Sequence, residues 1–284
     1  MQYDQWHDVK REVRQGQGGY VMIFYFTGTG NSQYAAQELA LPEEKMVSIK
    51  EAVESRAYFY VIPEGERLGF VFPVYFGGLP TIVIHFIHRL ILIGPGPEYT
   101  FVVLTNGGSP MGADRMVREY MTGKGYTVDD VFSLTMPDNY FILYHMARQE
   151  EETKILKKAD RKLKILRDRL KETGEKGSSG VSASAKVKPY RSGQQGKAAT
   201  GILYPLYIKG RKTKKFWVDD QCVGCHACEQ RCPSHAIKLV EGRPVWIKDR
   251  CVFCLGCTRC GAIHFGKADT KHGRYKHPIF RKKH

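Results

Sequence analysis

All eight cysteines of this 284-residue chain fall between Cys222 and Cys260, in the runs CVGCHACEQRCP and CVFCLGCTRC. The first run is CxxCxxCxxxCP, from Cys222 to Pro233. Three thiolates at that pitch face one iron-sulfur cube, and a fourth that is followed by proline is carried away toward a second. Zinc and disulfides are the competing readings. Zinc sites prefer two ligand pairs set well apart, whereas each group here is a tight run of three or four. A disulfide framework needs an oxidising compartment, yet no signal peptide is visible and no cysteine lies outside the window.

Read together, the runs follow the crossed arrangement of two-cluster bacterial ferredoxins. Cys222, Cys225 and Cys228 would share one cluster with Cys260, and Cys251, Cys254 and Cys257 the other with Cys232. The second run departs from the pattern: Cys260 follows Cys257 by only three residues, and Gly261 stands where proline is expected. Two outcomes are open, a tighter turn that still delivers Cys260 to the first cluster, or an iron that is weakly held. Ile237, Val245, Trp246, Phe253, Ile263 and Phe265 are expected to form the apolar shell that keeps water off the clusters. With enough thiols present, His226 and His235 read as spectators.

A second stretch speaks of phosphate. VMIFYF, ending at Phe26, is a continuous β-branched and aromatic run, which predicts a strand buried on both faces of a parallel sheet. It runs into TGTGNS (Thr27, Gly28, Thr29, Gly30, Asn31, Ser32) and then the helix-like QYAAQELA. Backbone amides and the helix dipole aim at such a loop, and Thr27, Thr29 and Ser32 add hydroxyl donors. No lysine completes a Walker loop, and Gln33 stands in place of a third dinucleotide-fingerprint glycine. A site of neutral donors fits a terminal monophosphate ester, such as the tail of FMN.

Two more loops follow strand-like runs. After LGFVF come Pro73, Val74, Tyr75, Phe76, Gly77 and Gly78; after TFVVLT come Asn106, Gly107 and Gly108. In an open α/β sheet the ligand sits beyond the carboxyl ends of the strands, so the three loops are expected to converge on one pocket. The glycines would let backbone approach a flat ring, with Tyr75 and Phe76 placed to stack on it.

TGTGNS, FPVYFGGLP and MPDNY (Met136 to Tyr140) resemble the fused flavodoxin-ferredoxin proteins of anaerobic bacteria, and the resemblance covers nearly everything from Val21 to Gly266. It implies an α/β flavodoxin-like doubly wound parallel sheet followed by a small α+β bacterial-type ferredoxin domain. It further implies FMN, its phosphate on Thr27 to Ser32 and its isoalloxazine flanked by Pro73 to Gly78 and Asn106 to Gly108. MPDNY would end the last sheet strand beside the pocket.

The elements that must position these groups divide the chain. After a loose polar leader over 1–19, residues 20–146 are expected to form the FMN-binding domain. Residues 147–173 follow as a long amphipathic helix with Ile155, Ala159, Leu163, Leu166 and Leu170 on one stripe. Leu156, Leu163 and Leu170 also keep heptad spacing, but packing along the first domain is favoured over a dimer seam. The Gly-, Ser- and Lys-rich stretch 174–200 reads as a flexible linker. Residues 201–268 hold the two [4Fe-4S] clusters, and 269–284 form a basic, solvated tail.

A formal net charge of +15 suits nucleic acid, an acidic membrane surface or an acidic redox partner. The basic helix interleaves acids and lacks an aromatic stacking row, so redox protein partners are expected and nucleic acid is not. The most apolar stretch, TIVIHFIHRLILIG, is broken by His85, His88 and Arg89 and is too short to span a bilayer. The expectation is a cytoplasmic protein of a reducing, anaerobic setting that passes electrons between two [4Fe-4S] clusters and FMN. No acid-base pair marks a dedicated substrate chemistry. The alternative is a flavin-dependent reductase of a small organic acceptor, fed by its own ferredoxin domain.

Overall fold

The structure is a computed structural model that describes residues 21–42, 44–142, 145–176, 187–267 and 273–281. The leader over 1–19 lies outside the described residues, as do 177–186 of the expected linker and 268–272 and 282–284 of the domain end and tail.

Five strands make one parallel sheet: β1 (Val21–Tyr25), β2 (Lys45–Ser48), β4 (Arg67–Pro73), β6 (Tyr99–Asn106) and β7 (Asp130–Thr135), with β3 (Phe59–Val61) and β5 (Ile91–Ile93) paired separately. The spatial order is β2-β1-β4-β6-β7. Counted within the sheet this is 2-1-3-4-5, the flavodoxin-like winding. Helices α1 (Asn31–Leu39), α2 (Ile49–Ser55), α3 (Thr81–Arg89), α4 (Ala113–Thr122) and α5 (Gln149–Lys176) cover its faces.

The period-two alternation of a strand explains both layers. Phe24, Leu68, Phe70, Phe72, Val102 and Leu104 face α3 and α4, whose Phe86, Ile87, Val117 and Met121 are fully buried against them. Ile23, Val71, Phe101 and Val103 face the opposite way, onto Ala35, Ala36 and Leu39 of α1 and Ala159, Leu163, Leu166 and Leu170 of α5. The apolar stripe of the long helix is thus spent on its own domain. Arg169 on α5 adds an ion pair to Asp130 at 2.9 Å. Among the described residues no helix is long and apolar enough to cross a membrane.

Past α5 the chain builds a smaller lobe from two antiparallel ribbons. One pairs β8 (Phe216–Val218) with β11 (Ile263–Phe265), the other β9 (Ile237–Val240) with β10 (Arg243–Trp246). Helix α6 (Gln194–Gly210) leads into this lobe, and the one-turn α7 (Ala227–Arg231) lies inside it.

Two sequence expectations need correcting. The stretch 174–200 is not a linker over its described part. Val187 is buried in the α5 face of the sheet, the Tyr190 hydroxyl donates to the Met111 carbonyl at 2.9 Å, and α6 begins at Gln194. Composition had favoured disorder, but Thr200, Leu203, Tyr204 and Tyr207 gain contacts with the first domain that offset it. Nor is the tail wholly solvated between Gly273 and Arg281, where two of its residues are anchored. Tyr275 and His277 are buried, the His277 ring stacks on Tyr34 at 4.1 Å, and Arg281 grips both oxygens of Glu152 at 2.7 and 2.8 Å. In the expected cluster shell, Ile237, Phe253, Ile263 and Phe265 are buried, whereas Val245 is 43% exposed because it takes the outward position on β10.

Candidate functional site

The loop after β1 turns sharply into α1. Gly30 caps the helix with φ of 108°, the left-handed region that favours glycine, and its amide donates to the Thr27 hydroxyl at 2.9 Å. Thr29 and Ser32 are buried, with Ser32 hydrogen-bonded to Thr105 at 2.7 Å and Thr29 accepting from the Asn139 amide at 3.1 Å. A small cavity of about 50 Å³ is lined by Thr27, Gly28, Thr29, Asn31 and Ser32, together with Thr105, Asn106 and Pro137 to Asn139. No Lys or Arg lines it, and Asp138 is its one carboxylate.

Val74, Tyr75, Asn106, Gly107, Asp138 and Asn139 belong at once to this cavity and to a larger one of about 410 Å³. The larger space takes in Phe76, Gly77 and Gly108 as well, so the three loops converge as the sequence predicts. The pair of spaces has the proportions of a phosphate pocket opening into a ring-sized one, within the usual volume of ligand sites. Two expected residues, Gly30 and Gly78, line neither space, and a third, Asn31, lines the small one with its side chain engaged by protein. Gly30 is covered from outside, since a Cβ there would lie 2.6 Å from the Phe280 ring. Gly78 lies under Tyr204, whose ring would be 2.3 Å from an added Cβ. The Asn31 side chain is already committed, donating to the Pro137 carbonyl at 3.0 Å and accepting from the Tyr275 hydroxyl at 2.7 Å.

The far wall of the larger cavity was not legible from the three loops. It is made by Leu203 and Tyr207 of α6 and by Phe253 and Leu255 from the cysteine window. Tyr207 stacks on Phe76 at 5.8 Å and donates its hydroxyl to the Val252 carbonyl at 2.7 Å. The aromatic spacing of Tyr204 and Tyr207, just ahead of the cysteines, was the available signal.

The cysteines form two sets of four. Cys232, Cys251, Cys254 and Cys257 line an inner cavity. Cys222, Cys225, Cys228 and Cys260 line an outer one. All eight are free thiols, and among the described residues no three His, Cys, Asp or Glu side chains close on one point as a single metal ion demands. The thiols ring a space instead. Cys257 and Cys260 bound a 3-10 turn over Gly256–Cys260. Three residues of such a turn advance about 6 Å along its axis, so the shortened spacing still moves Cys260 from one cavity to the next. Gly261, at φ of 96°, then turns the chain where proline was expected.

Burial, with charge on the neighbouring thiols, pushes Cys251 up to about 12 and Cys254 up to about 11. Cys257 rises well above its usual value for the same reasons, and Cys228 is raised mainly by burial. Thiols so placed ionise readily only beside compensating positive charge, which a bound metal centre supplies. The donor set therefore fits iron-sulfur clusters.

The sequence profile of 4Fe-4S binding domains matches residues 216–238, which include Cys222, Cys225, Cys228 and Cys232. The chain thus joins a domain of flavodoxin-like winding to a lobe that carries a 4Fe-4S binding motif. No curated protein matches it in sequence. Among solved structures it is similar to rubredoxin oxygen:oxidoreductase of the anaerobe Desulfovibrio gigas, with 14% identity over 51% of this chain and 36% of that one, at a TM-score of 0.29. The Trp repressor binding protein of Bacillus subtilis is similar at 13% identity over 49% of this chain and 95% of its own, at a TM-score of 0.30.

The ferredoxin domain presses directly on the flavodoxin-like one. A Cβ on Gly28 would stand 2.4 Å from the Cys254 carbonyl oxygen, so the phosphate loop and the cysteine loop touch backbone to backbone. His226, which lines the outer cavity, and His235 face carboxylates, Glu229 at 3.0 Å and Glu54 at 3.3 Å.

Proposed function

We propose that the protein is an electron carrier holding one FMN and two [4Fe-4S] clusters. Thr27, Thr29 and Ser32 would hold the FMN phosphate, and Val74 to Gly77 with Asn106 to Gly108 would flank the ring. The inner and outer sets of four cysteines would each hold one cluster, with Cys260 completing the outer set. A flavin exchanges one or two electrons, whereas clusters pass one at a time; the protein's part is to place and tune them.

The observation that carries this reading is a shared wall. Phe253 and Leu255 line both the ring-sized cavity and the inner cysteine cavity, so a flavin in the one and a cluster in the other would lie a side chain apart. The outer set, with Cys225 and Cys260 exposed, is the entry from solution. A net charge of +15 suits an acidic redox partner, and clusters this exposed suit an oxygen-poor, reducing cytoplasm.

The test is iron, sulfide and FMN content per chain on protein purified without oxygen, with EPR of the reduced sample. Two cubes predict about eight irons, with magnetically coupled signals, beside one FMN. About four irons, or protein free of flavin, would overturn the three-centre carrier.

A further inference from the structure

Beside the ring-sized cavity lies another, of about 540 Å³, that electron carriage between the cofactors does not use. Its floor is aromatic: Phe76, Tyr140, Tyr207 and Phe253 line this cavity and the ring-sized one alike. Its rim is cationic. Lys209, Lys212, Lys214 and Lys215 all line it, and no carboxylate does.

The rim is held in place. Thr213, between three of the lysines, is buried; its hydroxyl donates to the Lys248 carbonyl at 2.6 Å and its amide to the Asp249 carbonyl at 2.9 Å. The four lysines themselves are exposed, and none has a side-chain partner among the described residues. Like charges fixed close together repel unless an anion lies between them. Aromatic faces, for their part, are satisfied by a flat ring.

We propose that this cavity binds a small planar aromatic anion, an aromatic carboxylate or sulfonate. Its flat body rests on the four rings and its charge lies among Lys209, Lys212, Lys214 and Lys215. That such a ligand lies next to a flavin rests on the reading above that FMN occupies the neighbouring cavity; the binding itself does not.

Calorimetric titration of the anaerobically purified, oxidised holoprotein with 2-naphthoate and its neutral counterpart 2-naphthamide tests the site. The carboxylate is expected to bind at least about tenfold more tightly, by charge-assisted contacts with the lysines, and to perturb the visible absorption of the flavin. Raised salt, or the combined variant Lys212→Gln/Lys214→Gln/Lys215→Gln, should erase the difference and leave FMN and iron content unchanged. Equal affinity for the two probes would overturn the site, as would a lysine variant that binds naphthoate like the parent. So would a rim that binds polyglutamate and ignores naphthoate. Discrimination of the probes by protein that carries no FMN would uphold the site and count against the flavin reading alone. Full FMN content without probe binding would do the reverse.

Discussion

The inner and outer cysteine cavities use the same ligands and differ in what surrounds them. Cys232 and Cys254 of the inner set are buried, and the Cys254 backbone touches Gly28 of the phosphate loop. In the outer set Cys225 and Cys260 are exposed, and only Cys228 is buried. Ligand spacing decides that a cluster can form, but burial and hydrogen bonding set its potential. The contrast teaches that the first domain covers one cavity and leaves the other open, so that under the proposed function the two would do different work: the inner one would face the flavin, the outer one partners.

The largest effect that would break this contrast comes from the inner set. Cys257→Ala should cost a whole cluster, lowering iron from about eight to about four per chain. It should also slow reduction of the flavin by a low-potential protein donor at least about a hundredfold by removing the relay. Iron analysis and stopped-flow absorbance read the two. An unchanged rate would mean that electrons reach the flavin without the inner cavity.

Cys260→Ser sharpens the comparison from the other side. Loss of about one to four irons is expected, with FMN content and thermal stability of the first domain unchanged, since the residue is exposed. A loss of FMN in this variant would show that the outer set is not independent of the flavin site.

Gly28→Ala attacks the contact that makes one cavity inner. The added methyl would overlap the Cys254 carbonyl, and overpacking of this kind costs about 1–3 kcal/mol. Differential scanning calorimetry should show a lower melting temperature. The inner cluster should become more labile to chelators than the outer one.

The smallest effect concerns the tail that binds the phosphate loop from outside. Burial, chiefly, lowers His277 from 6.5 to about 4, with Asp160 opposing and Arg281 reinforcing the shift. Neither ring nitrogen has a hydrogen-bond partner among the described residues. Because the docked form binds the proton less well than the unfolded one, docking is fully stable above pH 6.5 and weakens as pH falls toward about 4. The protection factor of the His277 amide, which donates to the Thr29 carbonyl at 2.9 Å, should fall across that window, measured as hydrogen exchange relative to the intrinsic rate at each pH. His277→Phe should remove the dependence.

The iron-sulfur character of the window was legible because a CxxCxxCxxxCP run states its chemistry locally. The turn from β1 into α1 was legible for a similar reason: a buried strand, a short Gly- and hydroxyl-rich turn and a helix start are consecutive in sequence. The strand runs LGFVF and TFVVLT, each apolar throughout, likewise announced β4 and β6 of the sheet. Cys260 was half legible. The three-residue step was visible, but whether it still reached the outer cavity depended on the pitch of the turn it adopts.

What the residue order could not state was which remote segments close the site. Local composition marked 187–200 as unable to build a core and 273–281 as solvated, yet each is anchored by a few residues, Val187 and Tyr190 in the one and Tyr275 and His277 in the other, on partners far away in the chain. Gly78 meets Tyr204, Gly30 meets Phe280 and Gly28 meets Cys254. By itself the sequence determined the iron-sulfur character of the cysteine window, the hydroxyl- and glycine-rich loop after β1 and the strand-helix alternation, because those depend on neighbours along the chain. Only the tertiary structure decided which cysteine cavity adjoins the ring-sized one, what walls that space and what lies over the loop after β1. Those outcomes depend on side chains from separate segments filling the space that a missing Cβ leaves open, and such complementarity exists only once the domains have packed.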